Sequence, residues 1–416
     1  MPYLLRQMHR FFLGVVFVMI AVAPQVAEGA PQRSLSRGEA LFWDGPHVEE
    51  GSGDSWTYRL EVTERAHMLR IGIDHPEVYD VFDVRVTDPK GDRWSFSPGT
   101  GLYSAEMRDA DPAVGTWKIE VTAEDVTDSA FRMRAKLEAR PPSLGVKKGA
   151  VLPNLQVLPP HIPSFLFPVT NGAGDQEPTG IDTNGGDSCH PEEHEDGALR
   201  CLRFAFGVRN TGRGPMSLRI GPGGQTEDRE LFQIIERVNG TAIERLAGLA
   251  KFHESHGHYH HDAAMGLQLF RVVDPDTGEL EEAGEKRTKG FAHREELLRD
   301  WEHFYPLGGH VGFGLGPGWS DIYEWDRPGN YIDFGVNGDG LYVIRMWADP
   351  VKGIRESNEK DNVGYSYIEV TGDAVELLEV GRGSDPWDAC KIMMGAGGHP
   401  DPQRDRRPAS CPRDTT

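Results

Sequence analysis

"VFDVRVTDPKGDRW", Val81 to Trp94, alternates apolar and polar residues and then breaks at Asp88-Pro89-Lys90-Gly91. A period of two sends Phe82, Val84 and Val86 to one face of a strand and Asp83, Arg85 and Thr87 to the other. The Pro/Gly break ends the strand in a turn. The same pattern returns in "SWTYRLEV" (55–62), "HMLRIGID" (67–74), "GTWKIEVTAE" (115–124) and "FRMRAKLEA" (131–139). Half-buried strands separated by turns predict an antiparallel β-sandwich over residues 40–140.

Beyond it, "RPPSLGVKKGA" at 140–150 combines Pro, Gly and Lys without an apolar period, so 141–150 reads as a linker. Alternation resumes from residue 151 to about 380, in "CLRFAFGVRNTG", "PMSLRIG", "LFQIIERVNGTAIERL", "MGLQLFRVVDPDTGEL", "LYVIRMWAD" and "YSYIEVTG". Asn239-Gly240 predicts a hairpin between two of these runs. "AHREELLRDWEHF", Ala292 to Phe304, is the best helical pattern. The Pro/Arg/Asp-rich residues 381–416 read as an irregular tail. The expected fold class is all-β, with two β-sandwich domains.

Acidic residues number 65 against 44 basic ones, a net charge of -21. Such a surface repels nucleic acid and anionic membranes and attracts cationic ligands, and it also serves solubility. Arg6 and Arg10 precede an apolar run from Phe11 to Ala23, with small residues at Ala27, Gly29 and Ala30. Residues 1–30 therefore read as a signal peptide, which makes the protein secreted or extracytoplasmic, without stable membrane insertion after cleavage. Cys189, Cys201, Cys390 and Cys411 allow three full pairings in an oxidising compartment. The sequence-local pairing is expected, Cys189 with Cys201 and Cys390 with Cys411.

"FHESHGHYHHDAAM", Phe252 to Met265, holds five of the sixteen histidines. His256, His258 and His260 stand at i, i+2 and i+4, a spacing that points three imidazoles to one face of a strand. His253 and His261 are expected on the other face. Three neutral nitrogens without a thiolate suit copper or zinc, and the affinity order favours copper.

Two resemblances add to this. "GDSWTYRLEV", "LRIGID", "DVFDVRVTDPKG" and "PAVGTWKIEV" follow an order similar to that of the jelly-roll-like pre-peptidase C-terminal domains of secreted bacterial proteases. Asp74, Asp80 and Asp83 would be calcium candidates there, or solvated loop acids. "FHESHGHYHHD" resembles the copper-binding segment of lysyl oxidases. "LPNLQVLPP" and "LRFAFGVRNTGRGPMSLR" upstream, and "GWSDIYEWDRPGNYIDF" and "DPVKGIRESNEKDN" downstream, extend that likeness over about Leu152 to Val370.

The lysyl oxidase resemblance implies His256, His258 and His260 as copper ligands. It also implies a lysine tyrosylquinone (LTQ) cofactor built from Tyr323 and a lysine. In "GEKRTKGFAHREELL" the lysine is Lys289, with Lys286 as competitor, and Ala292 and His293 stand where the family has Cys and Leu. The implied reaction is oxidative deamination of a primary amine, peptidyl lysine or a small amine, to an aldehyde, with molecular oxygen consumed and ammonia and hydrogen peroxide released. Asp321, two residues before Tyr323, is a candidate base or an orienting partner. A non-catalytic secreted copper-binding protein is the alternative, and a zinc hydrolase using Glu254 is a weaker third.

Overall fold

The computed structural model describes residues 32–49, 53–75, 80–98, 102–126, 128–139, 149–158, 189–224, 226–254, 257–294, 297–298, 313–323, 325, 327, 329–372 and 374–388. The signal segment 1–30, linker residues 141–148, His256, Cys390 and Cys411 lie outside them.

Among the described residues the N-terminal unit holds nine strands: β1 (Arg33–Leu35), β2 (Ala40–Glu49), β3 (Ser55–Val62), β4 (Met68–Asp74), β5 (Val81–Thr87), β6 (Arg93–Phe96), β7 (Ser104–Ala110), β8 (Gly115–Asp125) and β9 (Asp128–Glu138). They form two sheets, β1-β3-β8-β5-β6 and β2-β9-β4-β7. All pairs are antiparallel except β1 with β3. β1, from Arg33, precedes the alternating runs and pairs parallel with β3.

Its apolar faces meet as the period of two requires. Phe82, Val84 and Val86 of β5 are fully buried with Trp117, Ile119 and Val121 of β8 and Leu69, Ile71 and Ile73 of β4. Asp74 approaches Arg134 at 3.3 Å. Asp80 is buried, so it is not the solvated loop acid expected. Among the described residues, Asp74, Asp80 and Asp83 form no metal-sized group.

The second unit continues with β10 (Leu155–Leu158), the short α1 (Pro191–Glu195), β11 (Cys201–Arg203), β12 (Phe206–Asn210), β13 (Met216–Ile220), β14 (Arg229–Glu236), β15 (Ala242–His253) and β16 (His258–Asp274). Next come β17 (Glu279–Glu282), β18 (Arg287–Phe291), β19 (Leu297–Leu298), β20 (Phe313–Leu315), β21 (Trp319–Tyr323) and β22 (Tyr331–Asp333). It closes with β23 (Gly340–Ala348), β24 (Val363–Thr371) and β25 (Ala374–Arg382).

Its large sheet runs β20-β13-β14-β15-β16-β23-β24-β25, with β17 and β18 also paired to the long β16. A smaller sheet, β10-β12-β21-β19, joins it around a core that includes Val157, Phe206 and Val208 from one side and Met265, Leu267 and Met346 from the other. The β14–β15 hairpin turns at Asn239-Gly240 as expected, with Gly240 at φ +79°. Where a helix was expected over 292–304, Leu297 and Leu298 instead pair with Ser320 and Trp319 as β19, and residues 295, 296 and 299–304 lie outside the described residues. Strand pairing overrode a local helical period that had no caps. Cys189 and Cys201 form the expected disulfide.

Candidate metal and redox site

The histidine segment folds as a hairpin. β15 and β16 pair antiparallel with His253 opposite His258 and Lys251 opposite His260. Opposed residues share a face, so His253 joins His258 and His260 instead of lying behind them. The expectation failed because it counted parity straight from His253 to His258, whereas these residues lie on two paired strands.

Nε2 of His258 and Nε2 of His260 are 2.9 Å apart, and the His253 ring stacks on His260 at 4.9 Å between centroids. All three lie toward solvent. Two ring nitrogens aimed at one point fit the donor set of a copper or zinc ion, at the edge length two ligands of one ion would have. The third expected ligand, His256, is outside the described residues.

Side chains alternate, so His261 points the other way and is buried. There β16 is irregular: its register against β18 shifts between His261 and Met265, and Ala263 takes φ +55°. Gly290 of β18 crosses this bulge where a Cβ would stand 3.0 Å from the His261 carbonyl oxygen and 3.4 Å from the His260 Cβ. A side chain there would press on the His261 backbone and push it back by a few tenths of an ångström.

Tyr323 sits in the opposite sheet. β21 pairs with β12, Phe206 opposite Tyr323 and Val208 opposite Asp321. Residues i and i+2 share a strand face, and the Tyr323 hydroxyl donates to Asp321 Oδ2 at 2.9 Å. The phenol ring stacks on Phe291 of β18 at 3.8 Å, and the Arg327 guanidinium stands 5.5 Å over it.

His293 completes the arrangement. It follows β18, where the chain leaves the large sheet to pair with β21 as β19, so it reaches both sheets. Its Nε2 is 3.2 Å from His261 Nδ1, and its Nδ1 is 3.3 Å from Asp321 Oδ2. Burial pushes the His261 imidazole down to about 3, with His293 adding to the shift. Burial pushes the Asp321 carboxyl up to about 8, against the opposing effects of the Tyr323 hydroxyl, Arg327 and Arg294. His261 and His293 were not singled out from the sequence. Their one signal was a pair of histidines at the ends of two apolar runs, which no spacing rule links.

Lys289 shares its strand face with Phe291 but does not meet Tyr323. Its ammonium lies 5.1 Å over the Tyr331 ring, beside Gly329, where a Cβ would stand 3.3 Å from the amine. Burial, and then the Arg287 charge, bring its pKa down to about 8. Lys286 lies over Trp347 instead.

No family model matches this chain, and no curated protein matches it. Among solved structures, the pre-peptidase C-terminal domain of a collagenase from Bacillus anthracis is similar at 10% identity, over 26% of this chain and 97% of that one, with a TM-score of 0.20. An Aeromonas hydrophila periplasmic inhibitor of g-type lysozyme is similar at 12% identity, over 26% and 100%, TM-score 0.18. A Bacillus licheniformis lipase in propeptide form is similar at 10% identity, over 58% and 43%, TM-score 0.19. These TM-scores lie far below 0.5, and the likenesses place no function on this chain. None of these comparisons supports the lysyl oxidase resemblance. Among the described residues no helix is long and apolar enough to cross a membrane.

Proposed function

We propose that this chain is a secreted copper-dependent amine oxidase of the lysyl oxidase type, acting on cationic primary amines. The observation that carries this is the convergence of His258 and His260 Nε2, 2.9 Å apart, on the strand whose next residue, His261, leads through His293 and Asp321 to Tyr323. His258 and His260, with His256, would hold the copper.

A quinone formed on Tyr323 would supply the electron sink for turning a primary amine into an aldehyde, with dioxygen as the final oxidant. The chain's own residues prepare that ring. Phe291 fixes its plane, Asp321 holds its hydroxyl, and Arg327 places positive charge over its face. Lys289, with a pKa of about 8, is in part a neutral amine near neutral pH and so a competent nucleophile. To join Tyr323 its side chain must leave Tyr331. The net charge of -21 favours cationic substrates.

The non-catalytic copper protein is the second reading, and the seat of Lys289 over Tyr331 is the observation that favours it. Mass spectrometry of peptides from protein loaded with copper in air, with phenylhydrazine added to trap a quinone, separates the two. A crosslink between Tyr323 and Lys289 is the expected result. Unmodified Tyr323 and Lys289 beside bound copper would overturn the oxidase reading.

A further inference from the structure

Arg287 and Lys289 stand at i and i+2 on β18, so both side chains leave the same strand face, about 6.6 Å apart at the backbone. Both come to rest on one ring. The Arg287 guanidinium lies 4.6 Å and the Lys289 ammonium 5.1 Å from the Tyr331 centroid. Arg287 donates to the Tyr331 hydroxyl, while its Nη1 is shut off from solvent and has no hydrogen-bond partner. Among the described residues neither cation has a carboxylate within ion-pair reach. The acids whose charge bears on Lys289 are Glu193 and Asp196. Glu193 is already taken by the Arg203 guanidinium and by the backbone N–H groups of His190 and Gly329, and Asp196 is exposed.

Taking two neighbouring positive charges out of water with no acid between them is costly, and one aromatic face does not offset that cost. In a chain of 65 acidic and 44 basic residues, carboxylates that could pair them are plentiful. A buried donor left without a partner beside two such cations calls for an ion from outside the chain. We infer that Arg287 and Lys289, over Tyr331, bind a small tetrahedral oxyanion, phosphate or sulfate. Two cations call for two negative charges, which sulfate carries and phosphate approaches near neutral pH. Oxygens on opposite sides of the ion each accept an N–H at about 2.8 Å, which together with the ion's own width spans the spacing the strand sets. Both side chains are only partly buried, so a small ion can enter. The Lys289 pKa of about 8, lowered by burial first and by Arg287 second, fits two cations whose counter-charge the chain does not supply. The site stands apart from the amine oxidase reading. Its consequence for catalysis rests on that reading: a bound oxyanion keeps Lys289 charged and seated on Tyr331, and so slows its joining to Tyr323.

The test uses the full chain, free of copper, at pH 7 and constant ionic strength, titrated in a calorimeter with inorganic phosphate and, separately, with sulfate. One saturable site is expected. Arg287→Met and Lys289→Met should each weaken it about tenfold or more, since each removes a charge-assisted donor. Lys286→Met, whose ammonium lies over Trp347, should leave it unchanged. Where a variant does not fold, the wild-type chain decides: phosphate should protect Lys289, and not Lys286, from acetylation at pH 8, read by peptide mass spectrometry. Absence of saturable binding, equal binding of acetate or chloride, wild-type affinity in R287M or K289M, or a Lys289 acetylated as fast with phosphate as without it overturns the inference. Copper and air are then added, with sulfate as the ion. If no quinone forms on Tyr323 with or without sulfate, the oxidase reading fails while the titrations still decide the site. If it forms as fast in saturating sulfate as without, the braking consequence is overturned although the oxidase reading stands.

Discussion

Tyr323 is held at both ends by different sheets: its hydroxyl donates to Asp321 at 2.9 Å on its own strand, and its ring stacks on Phe291 of the facing sheet at 3.8 Å. The ring therefore keeps one orientation only while the two sheets keep their spacing.

Phe291→Ala should remove that face. Phe291 is buried in the core of the second unit, and truncation of a buried aromatic costs about 3–5 kcal/mol. A urea titration should show the loss, with an unchanged slope if the fold is retained. Phe291→Leu should cost less than half as much, because it refills most of the volume. Equal stability of Phe291→Ala and wild type would show that the stacking is not as described.

Lys289 gives the stability a defined pH dependence. Its pKa falls from 10.5 unfolded to about 8 folded, chiefly through burial. Between these values the unfolded chain binds more protons, so this group makes stability rise with pH from about 8 to 10.5, and below about 8 its full penalty applies. Lys289→Met should be more stable than wild type at pH 7, by at most about 3 kcal/mol, and the difference should vanish as pH approaches 10.5. Denaturant midpoints of both proteins without copper check this.

Glu356 has the opposite sign. It accepts the Leu155 backbone N–H and the Asn362 side-chain amide, tying the closing turn of the second unit to its opening strand. Burial nevertheless raises its carboxyl from 4.5 to about 8. The folded chain then binds more protons across that window, so the contribution of Glu356 to stability falls as pH rises from about 4.5 to 8. Glu356→Gln should gain on wild type between pH 5 and pH 8 in the same denaturant series. A constant difference would refute the assignment.

His258→Ala and His260→Ala should each weaken copper binding at least tenfold, since each removes one of the two converging nitrogens. His253→Ala, which removes a ring stacked on His260, should weaken it less. Competition against a chromophoric chelator measures all three. Unchanged affinity in both His258→Ala and His260→Ala would remove the metal site from this hairpin.

Much of this molecule was legible in the chain itself. Alternation around Phe82, Val84 and Val86 determined a half-buried strand, because a period of two has no other use for those residues. The same logic placed His258 and His260 on one face of β16, and Asp321 and Tyr323 on one face of β21, because i and i+2 are neighbours whatever the fold. What only the tertiary structure decided lies across turns and between sheets. His253 joins the histidine face because a hairpin sets it opposite His258. Lys289 lies over Tyr331 because β18 and β22 approach each other. His261, His293 and Asp321, far apart in the chain, meet where the chain passes from β18 to Leu297 and Leu298, which pair with β21. Local spacing determines which side chains share a face; which faces meet is set by burial of the whole core, to which no short stretch of sequence has access.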